Sequence, residues 1–313
     1  MDFSEQLRHK MECNKLSETS INLYLKNIKR LNDDEDIKNL KFLYDKEDIL
    51  NKLEKYKKNT KRTYLVSIVS SLNCVKDKNK KLYDFYNDLM KNLSIEINNN
   101  PTDILNETQK KGFIKYEQLI KDYNSLEENI MNNIIDKDKL NKEEYNLLLT
   151  FVILSLYILQ SPRRNKDYMW MYILFKGYDE KKNNNKKHNY FDHPKQKFLF
   201  FNYKTSKIYN EQIIDVDKKL SKILQIYFAY HPLLKIYHLD DEIPLLVDYQ
   251  GDPLQKTNSI TTILNKWKPY LSSSMIRHIF ITYKFDNVEK EKEKIAAEMG
   301  HNTITQKTYI KHV

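Results

Sequence analysis

The sequence predicts a mainly α protein with a small antiparallel β-sheet, divided into two domains. Three observations predict it. Apolar residues recur at i, i+3 and i+4 along most of the chain, the spacing of helices with one buried face. Only the segments 198–203 (Phe-Leu-Phe-Phe-Asn-Tyr) and 211–216 (Glu-Gln-Ile-Ile-Asp-Val) show the aromatic and β-branched enrichment of short strands. Residues 96–106, Glu-Ile-Asn-Asn-Asn-Pro-Thr-Asp-Ile-Leu-Asn, are polar, contain proline and lack any period, which marks a linker. The expected domains are residues 1–95 and 107–313.

The first domain reads as helix after helix. Ser17 caps a segment that carries Ile21, Leu25, Ile28 and Leu31 on one face. A second helix carries Ile49, Leu50, Leu53 and Tyr56, a third Leu65, Ile68, Val69 and Leu72, and a fourth Leu82, Phe85, Leu89 and Leu93. Four such helices make a small bundle. Between the second and third lie Lys55, Lys57, Lys58, Lys61 and Arg62, five cations in eight residues. A cluster of this kind at a helix end is either a solvated surface or a contact for the phosphate backbone of nucleic acid.

The second domain opens with Tyr116, Leu119, Ile120 and Tyr123 on one helical face. Lys142 to Gln160 reads as a long helix buried along most of its faces, stopped by Ser161-Pro162. The two strand segments flank Lys204-Thr-Ser-Lys207 and form a hairpin with a basic tip. Helices are expected at about 217–230, 257–267, 273–285, 289–299 and 303–310. Residues 176–197 are a charged, Asn-rich insertion that reads as a disordered loop. Its His188, Asp192 and His193 offer a metal site only as the weaker alternative, so no metal is expected.

Composition narrows the function. The 313 residues include only four glycines, Gly112, Gly177, Gly251 and Gly300, and no two are spaced as a dinucleotide loop or a Walker-type phosphate loop requires. That argues against ATP-driven and NAD-driven chemistry. With 53 Lys and Arg against 43 Asp and Glu the net charge is +10, which suits a polyanion partner. A low-GC genome rich in Lys and Asn codons would give the same bias. Cys13 and Cys74 are too few for a disulfide framework and suit a reducing compartment. The longest apolar run, Leu147 to Leu159, spans 13 residues, too short for a membrane crossing, and Met-Asp-Phe-Ser-Glu has no signal-peptide character. A soluble intracellular protein is expected.

Four pieces of the second domain point to chemistry. Arg163 and Arg164 follow the buried helix just after Pro162, with Asp167 three residues beyond Arg164. Their guanidinium forks suit an oxyanion. Lys204 sits at the hairpin. Serines 272–274 open a helix in which Arg277 lies among the apolar residues Met275, Ile276, Ile279 and Phe280. An arginine half-buried there needs an anion. Finally, Met299-Gly300-His301 ends a helix at a natural glycine C-cap, and Tyr309 follows on another helix opened by Thr303.

In this order the pieces resemble the tyrosine recombinase/integrase family. Arg164-Asn-Lys-Asp167 is similar to its first arginine with an acidic residue three positions on, and Lys204 to its hairpin lysine. Ser274-Met-Ile-Arg277-His278 is similar to His-x-x-Arg-His, and Met299-Gly-His301…Tyr309 to its terminal motif. Arg277 and His301 lie 24 residues apart, close to the family's spacing. The resemblance implies a helical core-binding domain plus a catalytic domain. It implies site-specific cleavage and rejoining of DNA through a covalent 3′-phosphotyrosine, without metal, ATP or other cofactor. Catalytic roles fall on Tyr309, Arg164, Lys204, Arg277, His301 and Ser274. DNA contacts fall on Lys55, Lys57, Lys58, Lys61, Arg62, Arg163 and Lys207. The partners implied are duplex DNA and further copies of the chain, a tetramer on DNA. The place is at DNA inside a cell, in nucleus, cytoplasm or viral factory, or in a virion. The host would be a low-GC virus or mobile element.

The chemistry is self-consistent. Two arginines can hold the non-bridging oxygens of a five-coordinate phosphorus, a tyrosine oxygen can attack in line, and a lysine can protonate the departing 5′ oxygen. Ser274 departs from the family pattern. A hydroxyl can hydrogen-bond a phosphate oxygen but is no base near neutral pH, which keeps open a catalytically impaired DNA-binding protein on the same fold. A type IB topoisomerase or telomere resolvase with the same chemistry is the other alternative. Arg163 remains the fallback for the first arginine.

Overall fold

The computed structural model describes residues 2–99, 105–179, 186–236, 242–254 and 256–299, apart from the side chains of 76–78, 287 and 297. The chain divides into two compact units, residues 1–104 and 105–313.

The first unit is all helix: α1 (Phe3–Cys13), α2 (Glu18–Leu31), α3 (Lys46–Glu54), α4 (Lys58–Asn73) and α5 (Lys76–Asn99), with a 3₁₀ turn at Lys41–Tyr44. The starts of α1, α2 and α3 are legible in local chemistry. Asp2 and Glu5 form a capping box on α1, Ser17 accepts from the Ser20 amide on α2, and Asp45 accepts from the Asp48 amide on α3. The core gathers Leu7, Met11, Ile21, Ile28, Ile49, Leu53, Ile68 and Leu72 around α4, which packs against α2 and α5. Helix α1 was not expected, because only Leu7 and Met11 of its residues are fully buried, with Phe3 partly so. Helix α5 continues through Asn99, so the first residues of the expected linker are helical.

The second unit is built around one apolar helix. It contains α6 (Glu107–Gly112), α7 (Tyr116–Asn133), α8 (Lys142–Ile158), α9 (Asn165–Met169), α10 (Ser206–Tyr209), α11 (Lys218–Tyr230), α12 (Ser259–Trp267) and α13 (Ser273–Glu298). The strands are β1 (Met171–Leu174), β2 (Asn189–Asp192), β3 (Lys197–Phe200), β4 (Gln212–Asp215) and β5 (Ile243–Pro244). From Leu148 to Ile158 helix α8 is buried on every face, against α7, α11, α12 and α13. An apolar helix of that length with no polar stripe must be surrounded, and here protein surrounds it. Among the described residues no helix is long and apolar enough to cross a membrane.

The sheet corrects the expectation of a small antiparallel one. Its five strands run in the order β4-β3-β2-β1-β5, and β1 pairs with β2 in parallel, so the sheet is mixed. The expected hairpin is present as β3 and β4, with Phe198 opposite Ile214, but α10 rather than a simple turn lies between them. The central strand β2 comes from the Asn-rich insertion that reads as a loop. Its polar residues fix neighbouring turns. Asn189 Oδ1 accepts from the amides of Phe201 (3.0 Å) and Asn202 (2.8 Å), and the fully buried Asp192 accepts from those of Tyr178 (3.0 Å) and Lys195 (3.1 Å). Four residues buried on both faces carry no alternation, and charged neighbours in sequence hide them.

Two helices expected at 273–285 and 289–299 are one, α13. Asp286 and Asn287 suggest a break, but pairs one turn apart bridge it: Lys290 to Asp286 at 2.6 Å and Lys292 to Glu289 at 2.7 Å.

Candidate active site and nucleic-acid interface

The residues around α8's exit are fixed by a polar network. Tyr157, near the end of α8, donates to Asn165 Oδ1 at 3.0 Å, and Asn165 donates to the Thr257 carbonyl and Thr261 Oγ1, both at 3.3 Å. This ties α9 to the start of α12. Burial, the largest cause, pushes the Tyr157 phenol up, while Ser273 and Arg277 act in the opposite direction. Tyr157 is thus the joint between the 160s loop and the first turns of α13.

The two arginines of that loop have different surroundings. Arg163 Nε donates to Asp167 Oδ2 at 3.1 Å and a terminal nitrogen donates to Gln212 Oε1 at 2.7 Å. Its guanidinium carbon lies 3.7 Å from the Phe200 ring centre and 4.9 Å from that of Tyr203. The Arg163 side chain is only 15% exposed and that of Asp167 3%. Burial raises the Asp167 carboxyl above the ordinary range, opposed by Arg163 and Arg164. Two N–H groups of the Arg163 fork are therefore engaged within the fold, and its plane lies against Phe200 and Tyr203, whereas the expectation makes it a DNA contact and the fallback phosphate ligand. Arg164 is the N-cap of α9, half-buried, and its guanidinium has no hydrogen-bond or ion-pair partner among the described residues.

Helix α13 begins where Ser272 caps it, with its hydroxyl accepting from the Met275 amide at 3.1 Å. Met275, Ile276 and Ile279 are buried, which turns Ser274, Arg277, His278, Ile281, Lys284 and Phe285 to the other face. These six, with Phe280, Ser161 and Pro162, line a cleft of about 670 Å³. Arg277 is half-buried there, with no acidic partner within ion-pair distance among the described residues. The fold thus brings Ser274 and Arg277 together beside the Arg164 loop. His278 and Lys284 join them. Sequence reasoning gave neither a role, although Lys284 stands two helical turns beyond Arg277 on the same face.

Lys204 is exposed and follows Tyr203, whose hydroxyl donates to the Asn210 carbonyl at 2.6 Å and whose ring meets Arg163. The hairpin base is anchored by that ring, and Lys204 does not line the cleft. Lys207 is exposed on α10, beside Ile208 and Tyr209, which are 72% and 64% exposed. His301 and Tyr309, with Gly300 and Thr303, lie outside the described residues. His188 and His193 stack edge-on or tilted against Tyr172 and Phe175, and no group of three potential metal ligands occurs among the described residues.

In the first unit the five cations converge on one helix start. Lys55 closes α3, Lys57 is the N-cap of α4, and Lys58, Lys61 and Arg62 occupy its first turns. No acidic residue lies in that first turn and no side chain caps it. Lys58 pairs with Glu96. A helix N-terminus carries partial positive charge and unsatisfied amides, so added cations are unfavourable there unless an anion is also present. A second group of cations, missed in the sequence, places Arg8, Lys26, Lys29 and Lys38 along a groove beside α2 that Asp2 and Asp36 also line, with Lys29 paired to Asp36 at 2.8 Å. Lys26 and Lys29, one turn apart, were its signal.

Set against protein-family models, curated proteins and solved structures, the chain matches none of them.

Proposed function

We propose that the chain is a DNA-cleaving and rejoining enzyme of the tyrosine recombinase type, with residues 107–313 as its catalytic domain and the helical unit as a second grip on the duplex. The observation that carries this reading is Arg277, a half-buried guanidinium with no carboxylate partner among the described residues, facing a cleft beside Ser274 and His278. A buried charge of that kind is stable with an anion. Arg164, equally uncommitted at the N-cap of α9, supplies the second fork.

In this reading a phosphodiester enters the cleft. Arg277 and Arg164 hold its non-bridging oxygens and oppose the charge that builds in the five-coordinate state. The Tyr309 hydroxyl gives its proton to His301 as its oxygen attacks phosphorus, the bond from phosphorus to the 5′ oxygen breaks, and Lys204, reaching in from the hairpin outside the cleft, gives that oxygen its proton. The phosphotyrosine keeps the bond's free energy, so the reverse attack by a 5′-hydroxyl reseals DNA without ATP. Ser274 and His278 donate hydrogen bonds to phosphate. No step requires a metal. Copies of the chain assemble as a tetramer on DNA.

The deciding experiment is incubation with nicked suicide DNA substrates followed by SDS electrophoresis. The wild-type chain gives a covalent adduct and Tyr309→Phe binds DNA without one. An undiminished adduct from Tyr309→Phe overturns the assignment. A second reading, a DNA-binding protein that has lost catalysis, is favoured by Ser274, exposed at the position of a family histidine. Absence of any wild-type adduct supports it. Relaxation of supercoiled plasmid without a specific site would favour the topoisomerase alternative.

A further inference from the structure

From residue 281 onward most side chains of α13 are exposed, except that Ala296 is buried and Tyr283 stacks on Tyr116, yet the helix is not polar all round. Ile281, Phe285, Val288, Ile295 and Met299 are 53%, 54%, 41%, 39% and 58% exposed. Their spacings, with Lys292 in the gap, are 4, 3, 4, 3 and 4 residues, the alternation of d and a positions in a heptad repeat. On a straight helix these positions form one stripe about 27 Å long. A helix of this kind gains little from intrinsic propensity and normally hides its stripe against a partner.

We propose that this stripe is a dimer seam, in which α13 pairs in parallel with α13 of a second copy. The charges choose the partner and the direction. With Phe285 and Lys292 at a, Lys284 falls at g and Glu289 at e, so a parallel pair places each Lys284 opposite the partner's Glu289, twice by symmetry. An antiparallel pair centred on the stripe instead sets Glu289 against Glu289 and Glu291 against Glu291, and like charges repel. Lys292 is the single polar a position. Glu289 already pairs with it at 2.7 Å in the same helix, and Glu291 at g flanks it across a parallel seam. A lone lysine at a lowers stability and fixes register. With fewer than three heptads and that lysine, the seam is a weak and reversible contact, and because Ile281, Lys284 and Phe285 also line the cleft beside Arg277, the pairing and a ligand filling that cleft exclude one another. The proposal does not rest on the cleavage reading, and a failed adduct experiment leaves it standing.

Sedimentation equilibrium of the full chain without DNA tests it. The wild-type chain shows a reversible monomer–dimer equilibrium. Val288→Glu with Ile295→Glu abolishes the dimer while circular dichroism and melting temperature stay unchanged, since both side chains are exposed. Lys284→Glu alone and Glu289→Lys alone weaken association several-fold, and the two together restore it. Lys292→Ile tightens it by about tenfold or more. A wild-type chain that stays monomeric at every concentration overturns the proposal. A dimer indifferent to the Val288 and Ile295 changes does so too. Single charge changes that weaken, without rescue in the double, overturn the parallel pairing.

Discussion

At the scale of single residues, the two neighbouring arginines have separate jobs. Arg163→Ala leaves the buried Asp167 without its partner and costs about 3 kcal/mol of stability, measured as a lowered urea midpoint. Arg164→Ala removes a fork with no protein partner among the described residues, so stability changes by less than about 0.5 kcal/mol. Adduct formation on suicide DNA falls by about 10²-fold. Equal losses of stability in the two variants would contradict this division. The spacing Arg164-x-x-Asp167 singles out Arg164, but the carboxylate of Asp167 goes to Arg163.

His231 gives a pH dependence. It is fully buried, its Nδ1 accepts from the Leu233 amide at 3.3 Å, and so its proton sits on Nε2, which donates to the Pro244 carbonyl at 3.1 Å. Burial, the largest cause, pushes its pKa down to about 4. The unfolded chain takes up a proton near pH 6.5 that the folded one refuses. Stability from this residue is therefore complete above pH 6.5 and is lost as pH falls toward 4. Urea titrations across that window should show the decline, and His231→Gln should flatten it. Gly112 is a second site decided by contact. A Cβ there would stand 2.2 Å from the Tyr270 carbonyl oxygen, so Gly112→Ala destabilises by about 1–3 kcal/mol in thermal melts.

At the scale of elements, α4 and α13 carry the candidate surfaces of the proposed function and α8 carries the core. The first turn of α4 holds cations where a helix prefers anions. Replacing Lys57, Lys61 and Arg62 by serine should raise or preserve thermal stability while weakening DNA binding. A variant with lowered stability and unchanged binding would make the cluster a structural feature. The first half of α13 was legible because Ser272, Arg277 and the buried Met275, Ile276 and Ile279 announce a capped amphipathic helix. Its second half was not, since Asp286-Asn287 looks like a stop, yet the helix runs through it and ion pairs one turn apart add to it. Strands β1, β2 and β5 escaped notice for a different reason. β1 and β2 are buried along nearly their whole length and lack the alternation that β4 shows, and β5 has only two residues.

At the scale of the whole molecule, the net charge is +10, and cations group on surfaces of both units. The α4 cluster and the Arg8, Lys26, Lys29 and Lys38 groove both lie in the helical unit, and Arg164, Arg277 and Lys284 lie in the other. DNA affinity should therefore fall steeply with salt. Each phosphate contact removed by substitution should reduce the slope of log K against log salt by about 0.9. Fluorescence anisotropy over a salt series, with Lys57, Lys61 and Arg62 removed singly and together, measures it. A slope unaffected by all three would place the duplex elsewhere.

The sequence by itself determined the helical bundle, the apolar α8, the β3–β4 hairpin and the set of cations available to a phosphate. Those follow from periodicity, capping and charge, which act between residues near in the chain. Only the tertiary structure decided which arginine is spent inside the fold, that an Asn-rich stretch supplies the central strand, and that Ser274, Arg277, His278 and Lys284 share one cleft. The physical reason is the same in each case. An ion pair such as Arg163–Asp167 braced by Gln212, or a strand buried on both faces, is stabilised by partners distant in sequence, and no local pattern records which partner arrives first at hydrogen-bond distance.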